Sequence, residues 1–173
     1  MDRCIVCGVD GSADSQAALA VAVDLAARLR LRLIMANVVE PSPTPYAGAS
    51  LGGAMSQPRL TTTDRQEAIA RGLLTELSEA MGLERADQRV VLGYAAERLA
   101  DLADEEGAEL IVVGSRGRGA FKAAFLGSVS TSLIGVARCP VLVLPGAAAA
   151  ALARPFPGEP ALVRSERPGP AAP

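Results

Sequence analysis

Two kinds of apolar pattern alternate along the chain. Short apolar runs at residues 4–9, 31–39, 89–93, 110–113 and 141–144 have the length and the bounding turn residues of strands. Longer segments between them repeat apolar residues every three to four positions and predict helices at residues 13–29, from about Thr63 to Gly82, at 95–106 and at 128–137. Asp10, Gly11 and Ser12 close the first strand. Ser12 suits an N-cap, whose side-chain oxygen takes up a first-turn N–H, and Asp14 falls in the first turn, where negative charge is favoured. Thr63 and Gln66 have the spacing of a capping box, and Ile69, Leu73 and Leu77 mark the buried stripe of that helix. Leu99, Leu102 and Ala103 share one face of the next helix, which Gly107 terminates.

Strand and helix alternate through residues 3–145 without a run of hairpin signals. That order predicts an α/β fold, an open parallel sheet with helices on both faces. Ligands bind such sheets at the carboxyl ends of the strands, where the strand order reverses. The turns at 10–12 and 114–117 both lie at carboxyl ends, and they frame one site if the first and fourth strands are neighbours. Two segments break the pattern. Residues 41–62, rich in Pro, Gly, Ser and Thr, read as a long loop of the kind that serves as a lid. Residues 147–173 read as a disordered Ala/Pro-rich tail, which leaves one domain over 1–146.

Composition narrows the chemistry. Half of the 173 residues are hydrophobic but only 3% are aromatic, so Val, Leu, Ile and Ala must build the core. A net charge of -2 gives no general attraction to nucleic acid or to an anionic membrane. The absence of histidine excludes a Ser-His-Asp triad, a histidine general base and most zinc sites. Cys4 and Cys7 have the C-x-x-C spacing, but residues three apart on a strand point to opposite faces, so buried reduced thiols are expected. The N-terminus lacks the pattern of a signal peptide, and no apolar run is long enough to cross a bilayer. The expectation is a cytoplasmic protein.

The candidate chemistry lies at residues 114–131. Gly114 and Gly117 follow a buried strand, and Gly127, Ser128, Ser130 and Thr131 stand where a helix begins. Glycine lets backbone N–H groups approach phosphate oxygens, and a helix N-terminus offers unpaired N–H groups and partial positive charge. Hydroxyls there can add donors. The segment is not a P-loop, since Ala120 stands where lysine is required. Nor is it the dinucleotide fingerprint, which belongs after the first strand, where only Gly8 and Gly11 occur.

G-x-x-G, nine residues, then G-[S/T] is met by Gly114, Gly117, Gly127 and Ser128. With Val9, Asp10, Gly11 and Ser12 after the first strand, Asn37, Val38 and Val39 in the second, and residues 137–145 at the last, the chain resembles the universal stress protein family. The resemblance implies an adenine nucleotide alpha hydrolase-like fold with strand order 3-2-1-4-5. It also implies a homodimer paired through the last strand, residues 141–144, and ATP binding in the subgroup that keeps the glycine motif. On that resemblance Val38 meets adenine through its backbone. Asp10, with Gly11 and Ser12, lies near ribose and phosphates, and Asp10 bears on Mg²⁺. Val113 and Gly114 line the nucleotide. Arg116, Gly117, Gly127, Ser128, Val129 and Ser130 hold ribose and phosphate. Asn37 departs from the histidine of many relatives.

Each residue also has a plainer reading. Gly114 and Gly117 suit a tight turn, Ser12, Ser128 and Ser130 suit helix caps, and Arg116 and Arg118 suit solvated loop charges. Asp10 is either a polar strand terminus that caps the helix or a carboxylate sharing Mg²⁺ with phosphate. The reading favoured is a regulatory ATP-binding dimer, with ATP, AMP and cyclic forms all open. The alternatives are a slow Mg-dependent ATPase, for which no water-activating base is evident, and a dimeric scaffold without nucleotide.

Overall fold

A computed structural model describes residues 3–40, 62–83, 86–117 and 126–146. The long loop at 41–61, Arg118 with the rest of 118–125, and the tail at 147–173 lie outside the described residues.

Nine elements alternate as expected: β1 (Cys4–Gly8), α1 (Ala13–Leu29), β2 (Arg32–Val39), α2 (Thr62–Ala80), β3 (Asp87–Leu92), α3 (Ala95–Glu106), β4 (Ala108–Gly114), α4 (Ser128–Val136) and β5 (Val141–Leu144). The strands form one parallel sheet in the order β3-β2-β1-β4-β5. The chain winds outward from β1 to β3, then crosses back to β4 beside β1. That reversal puts the switch point between β1 and β4.

The period-2 alternation of the central strands divides the core in two. Ile5, Cys7, Met35 and Val112 meet Leu19 and Ala22 of α1 and Leu74 of α2 on one face. Cys4, Val6, Ile34 and Ile111 meet Leu99 and Leu102 of α3 and Leu133 of α4 on the other. Cys4 and Cys7 are therefore buried on opposite faces, both free thiols. Burial pushes the Cys7 thiol up to about 12, which keeps it protonated and inert.

Helix α2 departs from its sequence reading. Ala70, Leu74 and Ser78 are its buried positions, while Ile69 is 56% exposed. Small side chains at 70 and 78 fit the helix against the sheet, and the Ser78 hydroxyl is satisfied by donating to the Leu83 carbonyl at 2.8 Å. The capping box does not form either. Thr63 lies inside the helix, and the buried Oε1 of Gln66 has no hydrogen-bond partner among the described residues. At the other helix ends, Ser12 caps α1 by accepting from the Ser15 N–H at 3.2 Å, and Gly82 and Gly107 take the left-handed conformation that ends α2 and α3.

Candidate functional site

A cleft of about 880 Å³ opens over the carboxyl ends of β1, β2 and β4, at the switch point. Its floor is made by Gly8, Val9 and Asp10 of the β1 end, Ala36 to Glu40 of the β2 end and Val113 to Gly117 of the β4 end. Gly127 to Ser130 close one side, and Gln66, Ile69, Ala70 and Leu73 of α2 close another. Of the residues picked from sequence, Asp10, Val38, Val113, Gly114, Arg116, Gly117, Gly127, Ser128, Val129 and Ser130 all line this cleft.

Gly11 and Ser12 do not line it. Gly11 sits at φ +84°, which an L side chain rarely adopts, and turns the chain into α1. The Ser12 side chain is engaged inside the protein. Its hydroxyl lies 2.6 Å from Asp10 Oδ1 and 3.2 Å from the Arg116 carbonyl, both acceptors, while its oxygen caps α1. Asp10 Oδ1 also accepts from the Ser12 N–H at 3.0 Å. Asp10 is thus oriented by the turn that follows it, and the two turns at the carboxyl ends of β1 and β4 are tied together.

Close approach explains two of the glycines, to backbone at Gly114 and to a side chain at Gly117. A Cβ on Gly114 would stand 2.7 Å from the backbone carbon of Asp14 and the nitrogen of Ser15, so β4 and the first turn of α1 could not meet. A Cβ on Gly117 would stand 2.7 Å from Asp10 Oδ2. Gly127 is the N-cap of α4, and its N–H donates to the Ser115 carbonyl at 2.7 Å. That bond aims the first turn of α4 at the cleft, where its leading N–H groups have no intrahelical acceptor.

The hydroxyls behave differently from the sequence reading. Ser130 Oγ is buried and lies 3.2 and 3.1 Å from the carbonyls of Ser115 and Gly127, and Thr131 Oγ1 donates to the Gly127 carbonyl at 2.9 Å. With their protons directed to backbone carbonyls, these two residues brace the loop. The donors left to face a ligand in this turn are backbone N–H groups, with the exposed Ser128 beside them.

A buried carboxylate behind the cleft escaped the sequence reading. Asp14 Oδ2 accepts from Ser115 Oγ at 2.6 Å and from Arg116 Nε at 3.3 Å. Burial alone would raise its pKa, but hydrogen bonds from Ser115, Arg116 and the Gly146 backbone outweigh that, and Asp14 is held below the ordinary carboxylate range. One side chain thereby joins α1, the β4 loop and the end of β5. Asn37, buried on β2, donates to the Val9 carbonyl at 2.6 Å and holds the β1 and β2 ends together. The position of Ser115 inside the glycine motif was the available signal for the Asp14 contact. Nothing in the local pattern singles out its partner.

The model of the universal stress protein family matches residues 1–145. This chain belongs to that family. It is 34% identical over 144 residues to a universal stress protein of Thermus aquaticus, covering 83% of this chain and 99% of that one. Mycobacterial relatives are longer, and at 32% identity the chain spans 47% of their length. Among solved structures, universal stress protein UspA from Lactobacillus plantarum superposes with a TM-score of 0.65 at 23% identity, covering 83% of this chain and 97% of that chain, a likeness of fold. A universal stress protein in complex with cAMP superposes with a TM-score of 0.58 at 27% identity, covering 83% and 97%. Among the described residues no helix is long and apolar enough to cross a membrane, and no group of three or more His, Cys, Asp or Glu could hold a metal ion.

Proposed function

We propose that this universal stress protein is a regulatory module that binds ATP, or a closely related adenine nucleotide, in the switch-point cleft. The observation that carries the reading is the glycine cradle. Gly117 stands where a Cβ would strike the Asp10 carboxylate, and Gly127 opens a helix whose first N–H groups face the same space. Phosphates fit there because the donors are backbone groups that demand no side-chain ordering. The apolar half, with Val38 on β2 and Ile69 and Leu73 on α2, suits a base. The cAMP complex of the 27% identical structure agrees with an adenine ligand.

In this reading the Arg116 guanidinium, whose Nε is held by Asp14, offers its remaining N–H groups to phosphate, and Gly114, Val113, Val129, Ser128 and Ser130 shape the pocket. Gly11 and Ser12 act by positioning Asp10. Mg²⁺ would be shared between Asp10 and phosphate oxygens, with water completing its shell. The protein binds without appreciable turnover, since hydrolysis needs a group that orients water and the cleft offers only Asp10 and Glu40 as carboxylates among its described lining. Homodimerisation runs through β5, an edge strand at the end of the sheet order. The module works in the cytoplasm, and occupancy of the cleft regulates a protein partner.

The test is mass spectrometry of small molecules released from purified, denatured protein, for wild type and Gly117→Glu. Glutamate brings bulk and charge against Asp10 where phosphate should lie. Wild type should release an adenine nucleotide and the variant none. No nucleotide from wild type, followed by no binding of added ATP in calorimetry, would favour the scaffold reading. Multiple-turnover phosphate release lost in Asp10→Ala would favour the ATPase.

A further inference from the structure

We infer that Gln66 is the residue that reads position 6 of the purine and selects a 6-amino over a 6-oxo base. The inference rests on the nucleotide reading above and concerns the opposite end of the same cleft. At a period of 3.6 residues, Gln66, Ile69, Ala70 and Leu73 fall within an arc of about 100° on α2, and all four line the cleft. The neighbouring arc of the helix carries Leu74 and Ser78 into the core. Helix α2 thus presents an apolar shelf to the cleft that Val38 also lines, and the shelf ends at a carboxamide.

The acceptor of that carboxamide is unsatisfied. Gln66 Oε1 is buried and no donor reaches it among the described residues. A buried acceptor without a donor is costly, and native proteins rarely keep one without a use. The apolar shelf explains the otherwise exposed Ile69, because a flat ring laid on it would cover the side chain. A purine so placed brings the edge carrying position 6 toward Gln66. Along the edge that carries N6 and N7, adenine offers an N–H donor beside a ring-nitrogen acceptor, which a carboxamide can match with its acceptor and donor. A 6-oxo purine offers two acceptors there, O6 and N7, which no orientation of the carboxamide matches. Specificity built this way depends on leaving a buried polar atom unpaired with the wrong ligand.

Calorimetric affinities for ATP and ITP, which differ only at position 6 and in the proton on N1, test the inference on the full chain. Wild type should prefer ATP. Gln66→Met keeps helix propensity and volume, and it should reduce the ATP-to-ITP affinity ratio about tenfold. Gln66→Glu keeps an acceptor and loses the donor, so it should weaken both nucleotides yet still prefer ATP. Circular dichroism and the urea midpoint establish that each variant folds. If wild type and Gln66→Met show the same ratio, or if Gln66→Glu prefers ITP, the inference falls while nucleotide binding stands. If wild type binds neither nucleotide, the functional reading falls with it.

Discussion

The two ends of the sheet are built from opposite materials. At the carboxyl ends, glycines bring backbone to backbone and charge is sparse: Asp14 is buried and partnered by Ser115 and Arg116. At the amino ends, charge is dense and wet. Arg32 pairs with Glu106 at 2.8 Å and with Asp87 at 3.4 Å, Arg89 reaches Glu106 at 3.6 Å, and Arg3 pairs with Glu109 at 2.6 Å. The acidic end of α3, which opposes the helix dipole, is offset there by arginines on neighbouring strands, and Arg138 likewise meets Asp104 at 3.1 Å. The same parallel sheet thus has one end organised by close approach and another by exchangeable ion pairs.

That contrast can be broken most forcefully at Gly114. Gly114→Ala puts a methyl group against the backbone of Asp14 and Ser15, which cannot yield without moving α1. A loss of about 3 kcal/mol is expected, at the upper end of overpacking costs, read as a lower urea midpoint, together with weaker nucleotide binding. An unchanged midpoint would mean that α1 and β4 are not held as tightly as described.

Asp14 comes next. Its folded pKa lies below the ordinary carboxylate value, so its contribution is fully present above the unfolded pKa of about 3.9 and is lost as pH falls through the folded value. Stability due to Asp14 should be flat from pH 5 to 8 and decline only in acid. Asp14→Asn should cost about 1–3 kcal/mol at pH 7 and flatten the acid limb of a stability-versus-pH curve. An Asp14→Asn curve parallel to wild type would contradict the Ser115 and Arg116 contacts.

The smallest effect belongs to the amino ends. Glu106→Gln should cost no more than about 1 kcal/mol, because exposed pairs are weakened by solvent and by the entropy of ordering long side chains. The Arg32 partner keeps Glu106 below its ordinary pKa, yet its side chain remains a quarter exposed. The difference from wild type should shrink further in 1 M salt, where charges about 3 Å beyond contact are screened. A loss as large as that of Asp14→Asn would erase the distinction between the two ends.

Most of the cleft wall was legible in the residues. The alternation of strands and helices and the positions of Gly114, Gly117 and Gly127 follow from local patterns, while the strand order and the place of Val38 came from the family resemblance. Less legible was how side chains choose between partners. Ser12, Ser130 and Thr131 carry hydroxyls that a ligand could use, but nearby backbone carbonyls and Asp10 take them first. On α2, the spacing of Ile69, Leu73 and Leu77 is a sound helical stripe. Ala70 and Ser78 are buried in preference because a helix can rotate small residues toward a sheet when a cleft awaits its larger ones.

The sequence by itself determined the α/β order, the family and the backbone cradle, because periodicity, turn glycines and caps are properties of residues close together in the chain. Tertiary structure alone decided that Asp14 meets Ser115 and Arg116 a hundred positions away, that Glu106 is neutralised from two strands, and that Gln66 and Val38 line one cleft. Those pairings depend on how the sheet is ordered and how each helix is rotated upon it, and no local signal carries either.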